Sequence, residues 1–220
     1  TTNTPPSWSN SVSDVLIFGN SYTSRNGLSF MLEELLRSAH SPSNTSDYTT
    51  GGHSISDHWD DVNTSSSPQN LSLASGVWDT VLLQDQSQTP GLNRTTSQWL
   101  EGKNGSINLA ERIDAEGGAT MLFMTWGHRS GDSALTTLYP NYTVMQNRIE
   151  QGYIDYRDNI SLSTSAEVYI APVGLAFKHI HDSIVGSGGD PLDSTSTFYQ
   201  LYDGDGTHPS TSGSYLAACV

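Results

Sequence analysis

Cysteine and basic side chains are both scarce in this sequence. Cys219 is the only cysteine among 220 residues, so no disulfide can form within the chain, and a hydrophobic core must provide its stability. We expect this thiol to be buried, because it lies in the apolar run "YLAACV". Nine Lys and Arg stand against 23 Asp and Glu, which gives a formal net charge of −14. Nucleic-acid phosphates and anionic membrane surfaces repel such a chain, so we expect no nucleic-acid or membrane partner.

Long apolar runs are absent as well. No run approaches the roughly 20 residues needed to cross a bilayer, and the polar, proline-bearing start "TTNTPPSWSNS" does not resemble a signal peptide. The abundance of Ser, Thr, Asn and Asp favours a mature secreted chain whose signal has been removed. Several Asn-x-Ser/Thr sequons agree with secretion, although the frequency of Ser and Thr can also produce them by chance. These sequons are Asn44, Asn63, Asn70, Asn93, Asn104, Asn141 and Asn159.

Short apolar runs alternate with amphipathic stretches along the chain. The runs fit strands buried on both faces, and their alternation with helices predicts a parallel sheet covered on both sides. We therefore predict one domain, residues 1–220, with a three-layer α/β/α architecture and a flavodoxin-like sheet of about five strands. The predicted strands are 14–19, 79–84, 119–126 and 166–172, with a polar fifth at 46–52. The predicted helices are 28–40, 107–118, 142–160 and one from Thr211, and the predicted loops are 41–47, 61–70 and 186–197.

Polar or glycine-rich residues follow each predicted strand. Ligands of open α/β sheets bind beyond the carboxyl ends of the strands, so these residues are candidates for a site. They are Ser21, Gly51 and Gly52, the segment 84–88, and Trp126 to Arg129. On this rim, Arg129 either binds an acidic sugar or forms an ion pair with Asp132.

The segment "DGDGTHPSTSGS" near the end of the chain carries a second candidate. Asp205 and His208 stand three residues apart in a glycine-containing turn. Such a spacing lets the carboxylate accept from one imidazole nitrogen while the other nitrogen serves as a general base. The alternative is that Asp205 caps the following turn and His208 is a solvated loop residue.

"GNSYT" near the start and "DGTHPS" near the end together resemble the SGNH hydrolases, also called GDSL-like esterases. The resemblance covers nearly the whole chain, from Asp14 to Ala218. It implies that Ser21 is the nucleophile, that His208 is the general base and acid, and that Asp205 orients His208. Asp203 is the second-ranked carboxylate, because its spacing from His208 differs from the family block.

The resemblance also implies an oxyanion hole. Its donors would be the backbone N–H groups of Ser21 and Gly52, the latter in "TTGGHSISDHW". Many members of the family add an Asn amide after the middle strand, but this chain reads "LLQDQSQTP". Gln84 is the candidate at the strand end, Gln88 is the residue that an ungapped alignment selects, and Gln86 stays open.

These residues predict a secreted serine esterase that needs no cofactor and no metal. We expect its substrate to be an acetylated carbohydrate or a small ester, and we expect a monomer. A short-chain acyl or lipid esterase is the alternative within the same class. The missing Asn motivates a third alternative, a catalytically silent glycan-binding protein on the same scaffold.

Overall fold

Five parallel strands form the centre of the molecule. The computed structural model describes residues 13–39 and 43–220, so the polar start of the chain lies outside the described residues. The strand order is β2-β1-β3-β4-β5, the flavodoxin-like order, and the predicted architecture is confirmed. The strands are β1 Ser13–Gly19, β2 Ser43–Thr49, β3 Thr80–Leu83, β4 Ala119–Phe123 and β5 Val168–Ala171.

Helices connect the strands and cover the sheet. Several of them are preceded by a capping Ser, Thr or Asn. The side chains of Ser54, Thr96 and Asn141, for example, each accept a backbone N–H of the first helical turn. Such caps satisfy donors that the helix itself leaves unpaired. The helices are α1 Ser21–Ser24, α2 Leu28–Ser38, α3 Ile55–Val62, α4 Pro68–Leu73, α5 Ser97–Ala115, α6 Tyr142–Ser163, α7 Val173–Gly186, α8 Thr197–Gln200 and α9 Thr211–Ala218.

Two apolar layers lie on opposite faces of the sheet. Successive side chains of a strand point to opposite faces, so in β1 Leu16 and Phe18 join one layer, whereas Val15 and Ile17 join the other. The first layer packs the sheet against α3, α4, α5 and α6, and the second packs it against α2, α7 and α9. This double cover leaves the carboxyl ends of the strands as the accessible edge.

Several elements differ from the predictions. Edge strand β2 is Ser43–Thr49. It covers most of the predicted loop 41–47 and the first part of the predicted strand 46–52. Helix α5 begins at Ser97, ten residues before the predicted start. The prediction missed these residues because two glycines interrupt the helical pattern there. Helices α3 and α4 occupy both ends of predicted loop 61–70.

Two further features concern the surface. Cys219 is exposed, contrary to prediction, because it follows the end of α9 on the solvent side. Among the helices of the described residues, none combines the length and the apolar character that a membrane span requires.

Candidate active site

The candidate nucleophile lies at the end of β1, where the chain turns directly from strand into helix. Asn20 precedes α1, and its side-chain oxygen accepts the N–H of Tyr22 at 3.1 Å. Ser21 is the first helical residue. Gly19 makes this turn compact, since a Cβ there would lie 2.2 Å from Thr23 Oγ1. The turn therefore presents Ser21 at the carboxyl edge of the sheet.

The segment before α9 brings the candidate base to the same edge. The Asp203 N–H donates to the His208 carbonyl at 2.9 Å, which closes this segment into a compact turn. Within it, Gly206 adopts φ 72°, a conformation that favours glycine. His208 Nε2 lies 2.8 Å from Ser21 Oγ, and His208 Nδ1 lies 2.7 Å from Asp205 Oδ2. The structure thus joins the three predicted residues in one hydrogen-bonded chain.

Asp205 is held in its ionised form. Partial burial raises the pKa of its carboxyl, but hydrogen bonds from the Thr207 N–H, the His208 ring and the His208 N–H outweigh that effect. The pKa of Asp205 consequently lies well below its usual range. The competing carboxylate, Asp203, instead pairs with Arg25 at 2.7 Å.

The two predicted backbone donors are available to a ligand. Gly52 lies in the turn after β2, with φ 79°, and the His53 N–H closes this turn onto the Thr50 carbonyl at 3.1 Å. Asn20 Nδ2 donates to the His53 carbonyl at 2.7 Å and so ties this turn to the nucleophile turn. Within residues 13–39 and 43–220, the N–H groups of Ser21 and Gly52 donate to no protein acceptor.

Gln84 does not fit the predicted role of a side-chain oxyanion donor. It is 0% exposed, so no atom of it can touch a substrate. Its Oε1 accepts the Asn20 N–H at 2.9 Å and its Nε2 donates to the Asp85 carbonyl. Gln84 therefore holds the nucleophile turn from the protein interior. This corrects the sequence prediction that its side-chain amide donates to the oxyanion.

Gln86 and Gln88 are both half-buried beyond β3. Gln86 Oε1 accepts from Asn20 Nδ2 at 2.9 Å, which places the Gln86 amide beside the nucleophile turn. Gln88 Oε1 instead accepts from Ser87 Oγ at 2.7 Å. Of the three glutamines, Gln86 combines exposure with a contact to the residue before Ser21.

A buried aromatic stack links the segments that carry Ser21 and His208, and sequence reasoning missed it. Trp126, which we expected on the rim, is 0% exposed. Its ring stacks on Tyr22 at 4.8 Å and on Phe177 at 4.5 Å, and its Nε1 donates to the Thr207 carbonyl at 3.1 Å. Trp126 thus touches both the helix of Ser21 and the turn of His208. A Trp at the end of the predicted apolar strand 119–126 is the signal in the sequence that points to it.

Two titratable side chains close to the site, His58 and Asp85, are buried in the protein interior. His58 Nε2 lies 2.9 Å from the Gly19 carbonyl, and burial lowers the pKa of His58 to about 4. Burial raises the pKa of Asp85 to about 6, although hydrogen bonds from Ile55, Tyr156 and Gln86 act in the opposite direction. In the described part of the chain, no group of three or more His, Cys, Asp or Glu is arranged to hold a metal.

Comparisons with solved structures define the fold. A protein from Slackia heliotrinireducens, provisionally classed as an SGNH hydrolase, aligns with TM-score 0.71 and 24% identity over 95% of this chain and 96% of its own. A DUF4886 family protein from Bacteroides uniformis aligns with TM-score 0.73 and 19% identity over 95% and 81%. A variant of Axe2, an acetyl-xylooligosaccharide esterase from Geobacillus, aligns with TM-score 0.60 and 11% identity over 96% and 94%. The chain has the SGNH hydrolase fold.

Family models and curated protein sequences give no match to the chain. The assignment of the fold therefore depends on three-dimensional similarity, and the roles of individual residues depend on the geometry described above.

Proposed function

We propose that the protein is a serine esterase in which Ser21, His208 and Asp205 act as the catalytic triad. The observation that carries this proposal is the continuous hydrogen-bonded chain from Ser21 Oγ through the His208 ring to Asp205 Oδ2, with contacts of 2.8 and 2.7 Å. A serine hydroxyl is a weak nucleophile until a neighbouring imidazole takes its proton. Asp205 holds the imidazole in the tautomer that leaves Nε2 free to accept.

The reaction proceeds through an acyl-enzyme. Ser21 Oγ attacks the ester carbonyl carbon while His208 Nε2 takes the hydroxyl proton. The tetrahedral intermediate then collapses, the bond to the alcohol oxygen breaks, and His208 returns the proton to that oxygen. Water then attacks the acyl-enzyme while His208 takes its proton. As the bond from the acyl carbon to Ser21 Oγ breaks, His208 returns that proton to Oγ, which releases the carboxylic acid and restores free Ser21.

The developing oxyanion needs hydrogen-bond donors beside Ser21. We assign this role to the backbone N–H groups of Ser21 and Gly52 and place the third donor at the Gln86 amide. This amide contacts Asn20 and lies at the site surface. The loss of one such donor typically lowers kcat by about 10²-fold or more.

O-acetyl groups of carbohydrates are the proposed substrates. The polar, acidic surface implied by a formal net charge of −14 suits a water-soluble substrate better than a lipid. The fold is shared with an acetyl-xylooligosaccharide esterase, which supports the same substrate class. We also propose that the protein acts as a secreted monomer, with glycans at exposed sequons such as Asn63 and Asn104.

A substrate panel tests this function with a matched pair of variants. Wild type, Ser21→Ala and Ser66→Ala are assayed on p-nitrophenyl acetate, p-nitrophenyl palmitate and acetylated xylan. Ser66 is an exposed serine in the turn before α4, so its variant controls for loss of a surface hydroxyl. We expect Ser21→Ala to lose at least about 10³-fold in kcat and Ser66→Ala to match wild type.

Equal activity of wild type and Ser21→Ala would refute the nucleophile. A preference for the palmitate ester would refute the carbohydrate substrate while leaving the triad intact. Binding of xylan without hydrolysis by any of the three proteins would favour a glycan-binding protein.

A further inference from the structure

A pocket of about 490 Å³ adjoins the triad on the side of Asp205. Its volume falls in the range of about 300–1,000 Å³ that small-molecule sites usually occupy. One wall is the segment 128–140 and the other is the turn of Asp205 and Thr207. We call it the side pocket. Its lining includes His128, Arg129, Asp132, Thr136, Asp205 and Thr207.

The walls of the side pocket carry hydroxyl, carboxylate and imidazole groups. Ser130, Ser133 and Thr136 contribute hydroxyls from the outer wall. A fatty acyl chain placed here would remove these groups from water without replacing their hydrogen bonds, at a cost of about 1–3 kcal/mol for each group. A ligand rich in hydroxyls would replace those bonds.

The charges in the side pocket disfavour an anion. Burial lowers the pKa of His128 and so favours its neutral ring. The lining residues then carry two carboxylates, Asp132 and Asp205, against the single guanidinium of Arg129. The Arg129 guanidinium is already engaged, because it lies 3.7 Å from the centre of the Tyr199 ring and donates to the Asp203 carbonyl at 3.3 Å. No ion pair of Arg129 with Asp132 occurs among the described residues, contrary to one sequence expectation.

We propose that the side pocket is the subsite for the alcohol part of the ester and that it takes a neutral, hydroxyl-rich glycosyl unit. This inference rests on the proposed esterase function. His208 returns its proton to the alcohol oxygen, so the rest of the alcohol extends from the His208 ring. The proton leaves from Nε2, which faces Ser21, whereas Asp205 contacts Nδ1 on the opposite edge of the ring at 2.7 Å. The side pocket begins at Asp205, so the glycosyl unit would reach it by extending along the ring.

Two neighbouring threonines provide the central test. Thr136 lines the side pocket, whereas the lining does not include Thr137, which is exposed in the same turn. Thr136→Trp fills the side pocket, and Thr137→Trp adds the same bulk outside it. The measured quantity is kcat/KM on an acetylated xylooligosaccharide divided by kcat/KM on p-nitrophenyl acetate. We expect Thr136→Trp to lower this ratio at least about 10-fold and Thr137→Trp to leave it unchanged.

A second measurement separates the side pocket from catalysis. Deacetylated xylooligosaccharide is titrated into Ser21→Ala with and without Thr136→Trp, and we expect the added Trp to weaken binding at least about 10-fold. Deacetylated oligogalacturonate should bind more weakly than the neutral oligosaccharide at low salt, and Asp132→Asn should narrow that difference.

Specific outcomes would overturn the proposal. An unchanged ratio in Thr136→Trp, an equal loss for both tryptophan variants, or a preference for the galacturonate would each do so. If wild type and Ser21→Ala hydrolyse acetyl esters equally slowly, the proposed function fails, and the binding titration still decides whether the side pocket takes a glycan.

Discussion

Asp203 and Asp205 share one turn, yet only Asp205 faces the His208 imidazole. Asp205 Oδ2 contacts His208 Nδ1, and its Oδ1 accepts the N–H groups of Thr207 and His208 at 2.9 and 3.0 Å. Asp203 points the other way and pairs with Arg25 on the half-exposed surface. One carboxylate is thus positioned for chemistry and the other for a surface ion pair.

Exchanging each carboxylate for an amide distinguishes the two roles. Asp205→Asn should lower kcat by about 10⁴-fold, because an amide no longer fixes the imidazole tautomer. Asp203→Asn should change kcat less than about twofold, because a surface ion pair contributes only about 0–1 kcal/mol. Steady-state kinetics on p-nitrophenyl acetate measures both. A larger loss of kcat in Asp203→Asn than in Asp205→Asn would show that the triad is wrongly assigned.

The sequence indicated Ser21, Asp205 and His208 because each stands in a short motif. Such motifs can be recognised without knowledge of how the chain packs. The glutamines after β3 were different. Gln84, Gln86 and Gln88 have the same amide, and only the packing around Asn20 decides which of them is buried and which reaches the surface. The side pocket was equally hidden, since its two walls are distant in the sequence.

At the scale of elements, apolar strands were predictable and polar or glycine-bearing elements were not. The strands β1, β3, β4 and β5 are continuous apolar runs. Edge strand β2 reads "SNTSDYT" and pairs on one side only, with β1, so it needs few apolar side chains. In α5, Gly102 and Gly105 weaken the helical pattern, yet a Cβ at Gly102 would lie 2.4 Å from Tyr156 Oη. The close packing of α5 against Tyr156 therefore requires Gly102, the same residue that weakens the helical pattern in the sequence.

Helix α6 depends on a similar glycine. A Cβ at Gly152 would lie 1.9 Å from the carbonyl oxygen of Pro90, which is backbone and cannot move aside. Gly152→Ala should therefore lower the free energy of unfolding by about 1–3 kcal/mol. Gly186→Ala at the end of α7 meets nothing within 4 Å and should be neutral or stabilising by up to about 1 kcal/mol. Thermal unfolding compares the two, and equal melting temperatures would contradict the packing argument.

At the scale of the whole molecule, two buried groups give opposite dependences of stability on pH. His58 has a pKa of about 4 in the folded chain against about 6.5 when unfolded. As pH falls through this window, the unfolded chain takes up a proton that folded His58 refuses, so stability is lost. Asp85 has a folded pKa of about 6 against about 3.9 when unfolded, so its contribution to stability is lost as pH rises.

Single substitutions should reveal these opposing contributions. A shift of about two units corresponds to roughly 3 kcal/mol, so the two contributions largely offset each other between about pH 4 and 6. Relative to wild type, the stability of His58→Gln should fall as pH rises through that window, and the stability of Asp85→Asn should rise. Urea unfolding at pH 4.5 and 6.5 measures both slopes. If both variants keep the wild-type slope, the assignment of these groups is wrong.

The triad joins residues that lie 187 positions apart along the chain. Asn26, just after the nucleophile helix, also holds this closure, since its amide donates to the Pro209 carbonyl at 3.1 Å and to Ser214 Oγ at 2.9 Å. A chain that ends before residue 208 contains the nucleophile turn and all five strands but lacks His208. The recovery of hydrolysis during refolding would therefore time the docking of the last segment onto the nucleophile turn.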